Sequence, residues 1–221
     1  MKLCPAILVP ILMNLLSSPA SAEATCERLS SLSLSETTIT VAQTVAAGKL
    51  TLSSPLPAPG PRGGLTFVSV QDLPEFCRIG AVAMPSKDSE IKFEVWMPAS
   101  NWNGKFMGLG NGAMAGSISY GSMAAALSRG YAASSTDTGH EGSGQDGSFA
   151  LGHREKVIDF GYRAVHEMTV KAKLIVAAYY GRAPKFSYWN GCSTGGGRGW
   201  WRPSGFRVTT TELLLERPQS T

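Results

Sequence analysis

The run Lys185-Phe186-Ser187-Tyr188-Trp189-Asn190-Gly191-Cys192-Ser193-Thr194-Gly195 changes character at Gly191. Before it, an aromatic-rich segment directly after Pro184 reads as a β-strand over Lys185–Asn190. From Gly191 the residues follow G-x-S-x-G, the pattern of a serine on a sharp strand-to-helix turn. Such a turn strains the serine's backbone and lifts its hydroxyl to the rim of a sheet, and flanking glycines let strand and helix approach without a Cβ clash. Thr194 then opens the next helix, so its backbone N–H can stabilise an oxyanion. A chain with 25 glycines can also meet this pattern by chance, and the alternative is an ordinary solvated serine in a glycine-rich loop.

Upstream, Glu155–Tyr180 reads as a long helix with Val157, Ile158, Tyr162, Val165, Met168, Leu174 and Ile175 on its apolar side and Gly181 just past its end. Tyr131–Ser135 reads as a small-residue strand, and Tyr120–Arg129 as an Ala-rich helix ended by Gly130. Short apolar runs at Leu65–Val70, Phe76–Met84, Ile91–Met97 and Lys105–Leu109 read as strands. In the third of these, Ile91, Phe93, Val95 and Met97 alternate with Lys92, Glu94 and Trp96, as in a strand with one buried face. The Pro/Gly cluster Pro55–Gly64 reads as a loop. Strand, helix, strand, long helix and strand in succession argue for an α/β fold with parallel neighbours.

Gly108-Leu109-Gly110-Asn111-Gly112-Ala113 follows the strand Lys105–Leu109. In α/β serine esterases the loop at this place supplies a second oxyanion N–H, and closely spaced glycines let a backbone donor face the substrate. A dinucleotide-binding loop is the weaker reading, because no acidic residue and helix arrive in the register it needs.

The first 22 residues read as a secretory signal: Lys2, an apolar run from Ala6 to Leu16, and the small-residue site Ala20-Ser21-Ala22. The run is well short of the ~20 residues that span a bilayer, so no membrane association is expected after cleavage. The expected location is periplasmic or secreted. Cys4 leaves with the signal, and Cys26, Cys77 and Cys192 remain, an odd number for an oxidising compartment. By elimination Cys26 pairs with Cys77 and Cys192 stays unpaired; a bridge from Cys192 bracing the serine is the open alternative. Of the net charge of +4, Lys2 carries +1 and residues beyond 196 carry +2, which leaves +1 for the body of the chain. That excludes a basic face tracking a nucleic-acid backbone. Hydrophobic residues at 43% are enough for one buried core.

Together, Asn190-Gly191-Cys192-Ser193-Thr194-Gly195-Gly196, the Gly110-Asn111-Gly112 loop, Ser135-Thr136-Asp137-Thr138-Gly139-His140 and Asp159-Phe160-Gly161-Tyr162-Arg163-Ala164-Val165-His166 resemble the tannase and feruloyl esterase family. That family also includes the hydrolase of mono(2-hydroxyethyl) terephthalate. The resemblance covers residues 25–196. It implies an α/β-hydrolase fold that is mostly parallel up to the nucleophile strand, secretion, and hydrolysis of esters of hydroxylated aromatic acids such as gallate or ferulate. It makes Ser193 the nucleophile and forms the oxyanion hole from Thr194 with Gly112 or Ala113. It makes Cys192 half of a bridge to a cysteine just after the catalytic histidine, and Asp137 to His140 a support for the active-site floor.

The chain then departs from the family. An α/β-hydrolase supplies its triad in the order Ser, Asp or Glu, His, yet residues 194–221 contain no His, Asp or Cys. The later strands, the lid and the family's calcium site would lie in the part that these residues do not carry, and no metal or other cofactor is expected here. Gly197, Gly199, Trp200, Trp201, Arg202 and Pro203 follow the elbow instead of good helix formers, so residues 197–221 read as a tail unlike the family, with a strand at Thr209–Leu215. The expected organisation is a signal peptide (1–22), the N-terminal part of a catalytic domain (23–196) and that tail (197–221). Without acid and base the polypeptide is expected to be inactive.

His140 and His153 bracket a polar loop with Glu141 and Asp146, but their spacing does not make a metal site. His166 is expected to pack against the sheet. A triad of the order His–Asp–Ser through Asp137 or Asp159 would need another fold. Trp96, Trp102, Tyr188 and Trp189 read as core or rim. The rival functions are a non-catalytic binding protein for a small aromatic ester, and a pseudoenzyme completed by a second chain. Nothing in the residues indicates an oligomeric state.

Overall fold

A computed structural model describes residues 25–53, 56, 60–62, 65–200 and 207–208. The signal expected at 1–22, the strand expected at Thr209–Leu215 and most of the expected tail lie outside them. Nine strands are present among the described residues: β1 (Thr37–Val45), β2 (Gly60–Arg62), β3 (Leu65–Phe67), β4 (Phe76–Ala83), β5 (Ile91–Pro98), β6 (Lys105–Leu109), β7 (Ala132–Thr136), β8 (Phe186–Asn190) and β9 (Arg207–Val208). The helices are α1 (Tyr120–Leu127), α2 (Arg154–Ile158), α3 (Ala164–Tyr180) and α4 (Thr194–Trp200). The Pro/Gly cluster is not all loop, because β2 within it pairs with β3 as a hairpin. β3 ends at Phe67, short of the expected Val70, where a 3₁₀ turn Val70–Asp72 begins.

One seven-stranded sheet has the order β1-β4-β5-β7-β6-β8-β9. The pairings from β1 through β4 and β5 to β7 are antiparallel, and those from β7 through β6 and β8 to β9 are parallel. After β6 the chain passes through α1 to β7 on one side, and after β7 it returns through α3 to β8 on the other side of β6. The carboxyl ends of β6 and β8 therefore flank the point where the connections diverge, the place where open α/β sheets bind ligands.

Each face of the sheet has its own core. Phe93, Val95, Phe106 and Trp189 pack with Val165, Met168, Ala172 and Ile175 of α3; Phe76, Trp96, Met107 and Leu109 pack with Met123 and Leu127 of α1. Burying each large side chain contributes about 1.5–3 kcal/mol. β5 is consequently covered on both faces, contrary to its alternating sequence. Glu94, read as outward-facing, is buried: Arg78 Nε and Nη2 donate to its two oxygens at 2.9 and 2.7 Å, Trp96 Nε1 at 2.7 Å and Tyr120 Oη at 2.9 Å. This network joins β4, β5 and α1.

The long helix spans its expected residues, but a π-turn, Asp159–Arg163, interrupts it between α2 and α3. The inserted turn shifts the apolar face. Val165, Met168 and Ile175 are buried as expected, whereas Val157, Tyr162 and Leu174 are exposed. A disulfide joins Cys26, in the 3₁₀ turn Cys26–Ser31, to Cys77 on β4, with both cysteines buried.

Candidate active site

Ser193 stands on the bend between β8 and α4, with φ +54° and its side chain exposed. The bend is held by Gly195 N–H donating to Cys192 O at 3.0 Å and Gly197 N–H to Ser193 O at 3.0 Å. Trp189 Nε1 donates to Gly195 O at 2.8 Å, so the last aromatic of β8 fastens the start of α4. Cys192 is a free, exposed thiol.

The glycines around the bend are required by close backbone approach. A Cβ on Gly195 would lie 2.3 Å from Asn111 O, and one on Gly191 would lie 2.6 Å from Gly195 O. A Cβ on Gly110 would meet the same Gly195 carbonyl at 2.8 Å. The loop after β6 and the bend after β8 are thus in backbone contact, through Gly110 and Asn111 on one side and Gly195 on the other. Gly112 is exposed with open space at its Cα, and Ala113 takes a left-handed φ of +48° in the turn closed by Ala115 N–H to Gly112 O at 3.1 Å.

Asn111 is buried in this loop. Its Nδ2 donates to Ala115 O at 3.1 Å, Ser117 O at 2.6 Å and Thr136 O at 2.9 Å, while its Oδ1 is buried without a partner. Sequence reading treated Asn111 only as part of a glycine motif. An Asn between two glycines after a strand is the local signal that such side chain-to-backbone bonds form.

The three histidines go elsewhere. His140 is buried between Phe149, stacked with ring centroids 3.6 Å apart, and Phe160 at 5.6 Å; its Nε2 lies 2.9 Å from Met114 O. His153 is exposed and meets Asp88 at 3.0 Å. His166 is exposed on α3 rather than packed against the sheet. Among the described residues no His or Asp side chain is hydrogen-bonded to Ser193. No group of three or more His, Cys, Asp or Glu among them is arranged to hold a metal ion.

Asp137 is buried and accepts at Oδ1 from the N–H groups of Lys92 (3.0 Å) and Gly139 (2.8 Å). Burial pushes its carboxyl up to about 7, against those hydrogen bonds. Asp159 is fully buried against Gly139, whose Cβ would lie 2.7 Å from Asp159 Cβ, and it pairs with Arg163 at 2.5 Å. Both carboxyls are committed to shaping the loop after β7.

Comparison with known proteins agrees with this geometry. A family model described as tannase and feruloyl esterase matches residues 77–203. An uncharacterized esterase of Xanthomonas campestris is 44% identical over 181 residues, which are 82% of this chain and 29% of that protein. A probable feruloyl esterase B-1 of Neosartorya fischeri is 38% identical over 138 residues, 62% of this chain and 26% of that one. The crystal structure of feruloyl esterase B from Aspergillus oryzae superposes with a TM-score of 0.68 at 32% identity, covering 80% of this chain and 33% of that one. The chain thus spans under a third of the length of these curated relatives. Since the family model covers more than half of its residues, the chain belongs to the tannase and feruloyl esterase family.

Proposed function

We propose that residues 23–196 are the nucleophile-bearing part of an exported carboxylic ester hydrolase that acts on esters of hydroxylated aromatic acids, of the gallate or ferulate kind. The observation that carries this reading is the exposed Ser193 at φ +54°, with the loop Gly110-Asn111-Gly112 pressed against Gly195 behind it. In the proposed reaction Ser193 Oγ attacks the ester carbonyl carbon and its proton passes to a base. The carbonyl oxygen becomes an oxyanion that accepts from the backbone N–H groups of Thr194 and Gly112. Collapse expels the protonated alcohol and leaves an acyl-serine, and water then releases the aromatic acid by the same steps in reverse. Export is supported by the Cys26–Cys77 disulfide.

The base is the missing role. His140 is committed to Met114 O, His153 to Asp88, and residues 194–221 carry no His. The 221-residue polypeptide by itself is therefore expected to be inactive, and the rival reading is a binding module for the same esters. The test is to incubate it with methyl gallate, methyl ferulate and p-nitrophenyl acetate, alongside Ser193→Ala. Turnover that vanishes in Ser193→Ala would overturn the inactivity. Ligand-dependent thermal stabilisation without turnover would favour the binding module.

A further inference from the structure

The loop after β6 is tied to the end of β7 and the segment that follows it by five hydrogen bonds. Three are between backbones: Met114 N–H to Gly144 O at 3.0 Å, Gly116 N–H to Gly142 O at 3.1 Å and Gly142 N–H to Gly116 O at 3.4 Å. Two come from buried side chains: Asn111 Nδ2 to Thr136 O at 2.9 Å and His140 Nε2 to Met114 O at 2.9 Å. The segments also touch directly, since a Cβ on Gly116 would lie 2.4 Å from His140 O. We infer that His140 is a positioning residue for the oxyanion loop: by donating its Nε2–H to the Met114 carbonyl, it fixes the Gly112–Ala115 turn that presents the Gly112 N–H.

The surroundings of the imidazole fit that role. Phe149 stacks on one face and Phe160, delivered by the π-turn, closes the edge. Gly139, just before it, sits at φ +85° with no room for a side chain against Asp159, so the segment cannot slide. An Nε2–H donates to a carbonyl in the cationic imidazole and in one neutral tautomer alike, so the contact does not require the ring to exchange a proton. Asn111 is the second fastening, on the other arm of the same loop. Loss of one oxyanion donor typically costs about 10²–10³ in kcat, which gives a reason for two buried side chains to hold one short turn.

The inference rests on the proposed role of Gly112, and its test does not depend on hydrolysis. Amide hydrogen exchange is measured on the 221-residue chain at Met114, Ala115 and Gly116, with residues 76–98 as the internal reference. His140→Phe keeps a ring against Phe149 but has no donor; His140→Gln loses the ring but carries an N–H of about the same reach. Exchange in the loop is expected to quicken ~tenfold or more in His140→Phe, with the reference unchanged, and to stay within ~threefold of the parent in His140→Gln. Should His140→Phe not fold, His140→Ala combined with rescue by His140→Gln gives the same comparison. Parent-like exchange in the donor-less variant, equal acceleration in both variants, or equal acceleration in loop and reference would each overturn the inference. Ser193→Ala is expected to leave loop exchange unchanged, so a wrong nucleophile shows up only in the ester assays, and a wrong positioning role only in exchange.

Discussion

The bend at Ser193 is built by glycines that are its neighbours in sequence. Gly191 and Gly195 are needed within two residues of the serine, and the contacts that forbid a Cβ there involve backbone. Gly195→Ala is accordingly expected to destabilise the chain by about 1–3 kcal/mol in denaturant unfolding, as overpacked sites do. That locality makes the bend legible in the sequence; the role of His140 is not, because its partner is a carbonyl 26 residues away, and no periodicity connects the two. Asp137 gives a pH test. Its folded carboxyl titrates at about 7, above the ordinary value of 3.8, so the folded state binds its proton more tightly than the unfolded chain does. That contribution is full below about pH 4 and is lost as pH rises through about 7. Asp137→Asn keeps the Oδ1 acceptor and cannot ionise. Across that window the parent should therefore lose stability relative to Asp137→Asn, by an amount on the order of a few kcal/mol, when both are melted at a series of pH values. Equal pH dependence in the two proteins would show that this carboxyl does not carry the effect.

At the scale of elements, the extents of β4 to β8 and of the long helix followed from apolar runs and from Gly130 and Gly181. The facing of those elements did not. The π-turn Asp159–Arg163 adds a residue to one turn, which no 3.6-residue count anticipates, and it leaves Val157 and Tyr162 in solvent. Glu94 likewise looked solvated because its partners Arg78 and Tyr120 lie on a different strand and a helix. Removing it strands a partly buried guanidinium and the buried Trp96 N–H. Glu94→Ala is therefore expected to cost about 3–5 kcal/mol in chemical unfolding, more than an exposed ion pair could account for. The disulfide closes a separation of 51 residues between the N-terminal 3₁₀ turn and β4. Replacing both cysteines with serine is expected to lower stability by about 4 kcal/mol, read as a lower melting temperature under non-reducing conditions.

For the whole molecule, the sheet order places the bend after β8 and the loop after β6 at one switch point, and this is what makes an isolated G-x-S-x-G informative. Among the described residues the parallel half of the sheet continues past β8 through the two residues of β9. The described residues contain the proposed attacking group and both proposed oxyanion donors, and among them no His or Asp side chain is hydrogen-bonded to Ser193. The most direct test joins residues 1–196 of this chain to the remaining length of the Xanthomonas campestris esterase and treats the chimera with p-nitrophenyl ferulate, followed by acid quench and peptide mass analysis. Turnover and a feruloyl adduct on the peptide that carries Ser193 are expected, both lost in Ser193→Ala. Turnover that survives Ser193→Ala, or an adduct on any other residue, would contradict the proposed role of Ser193.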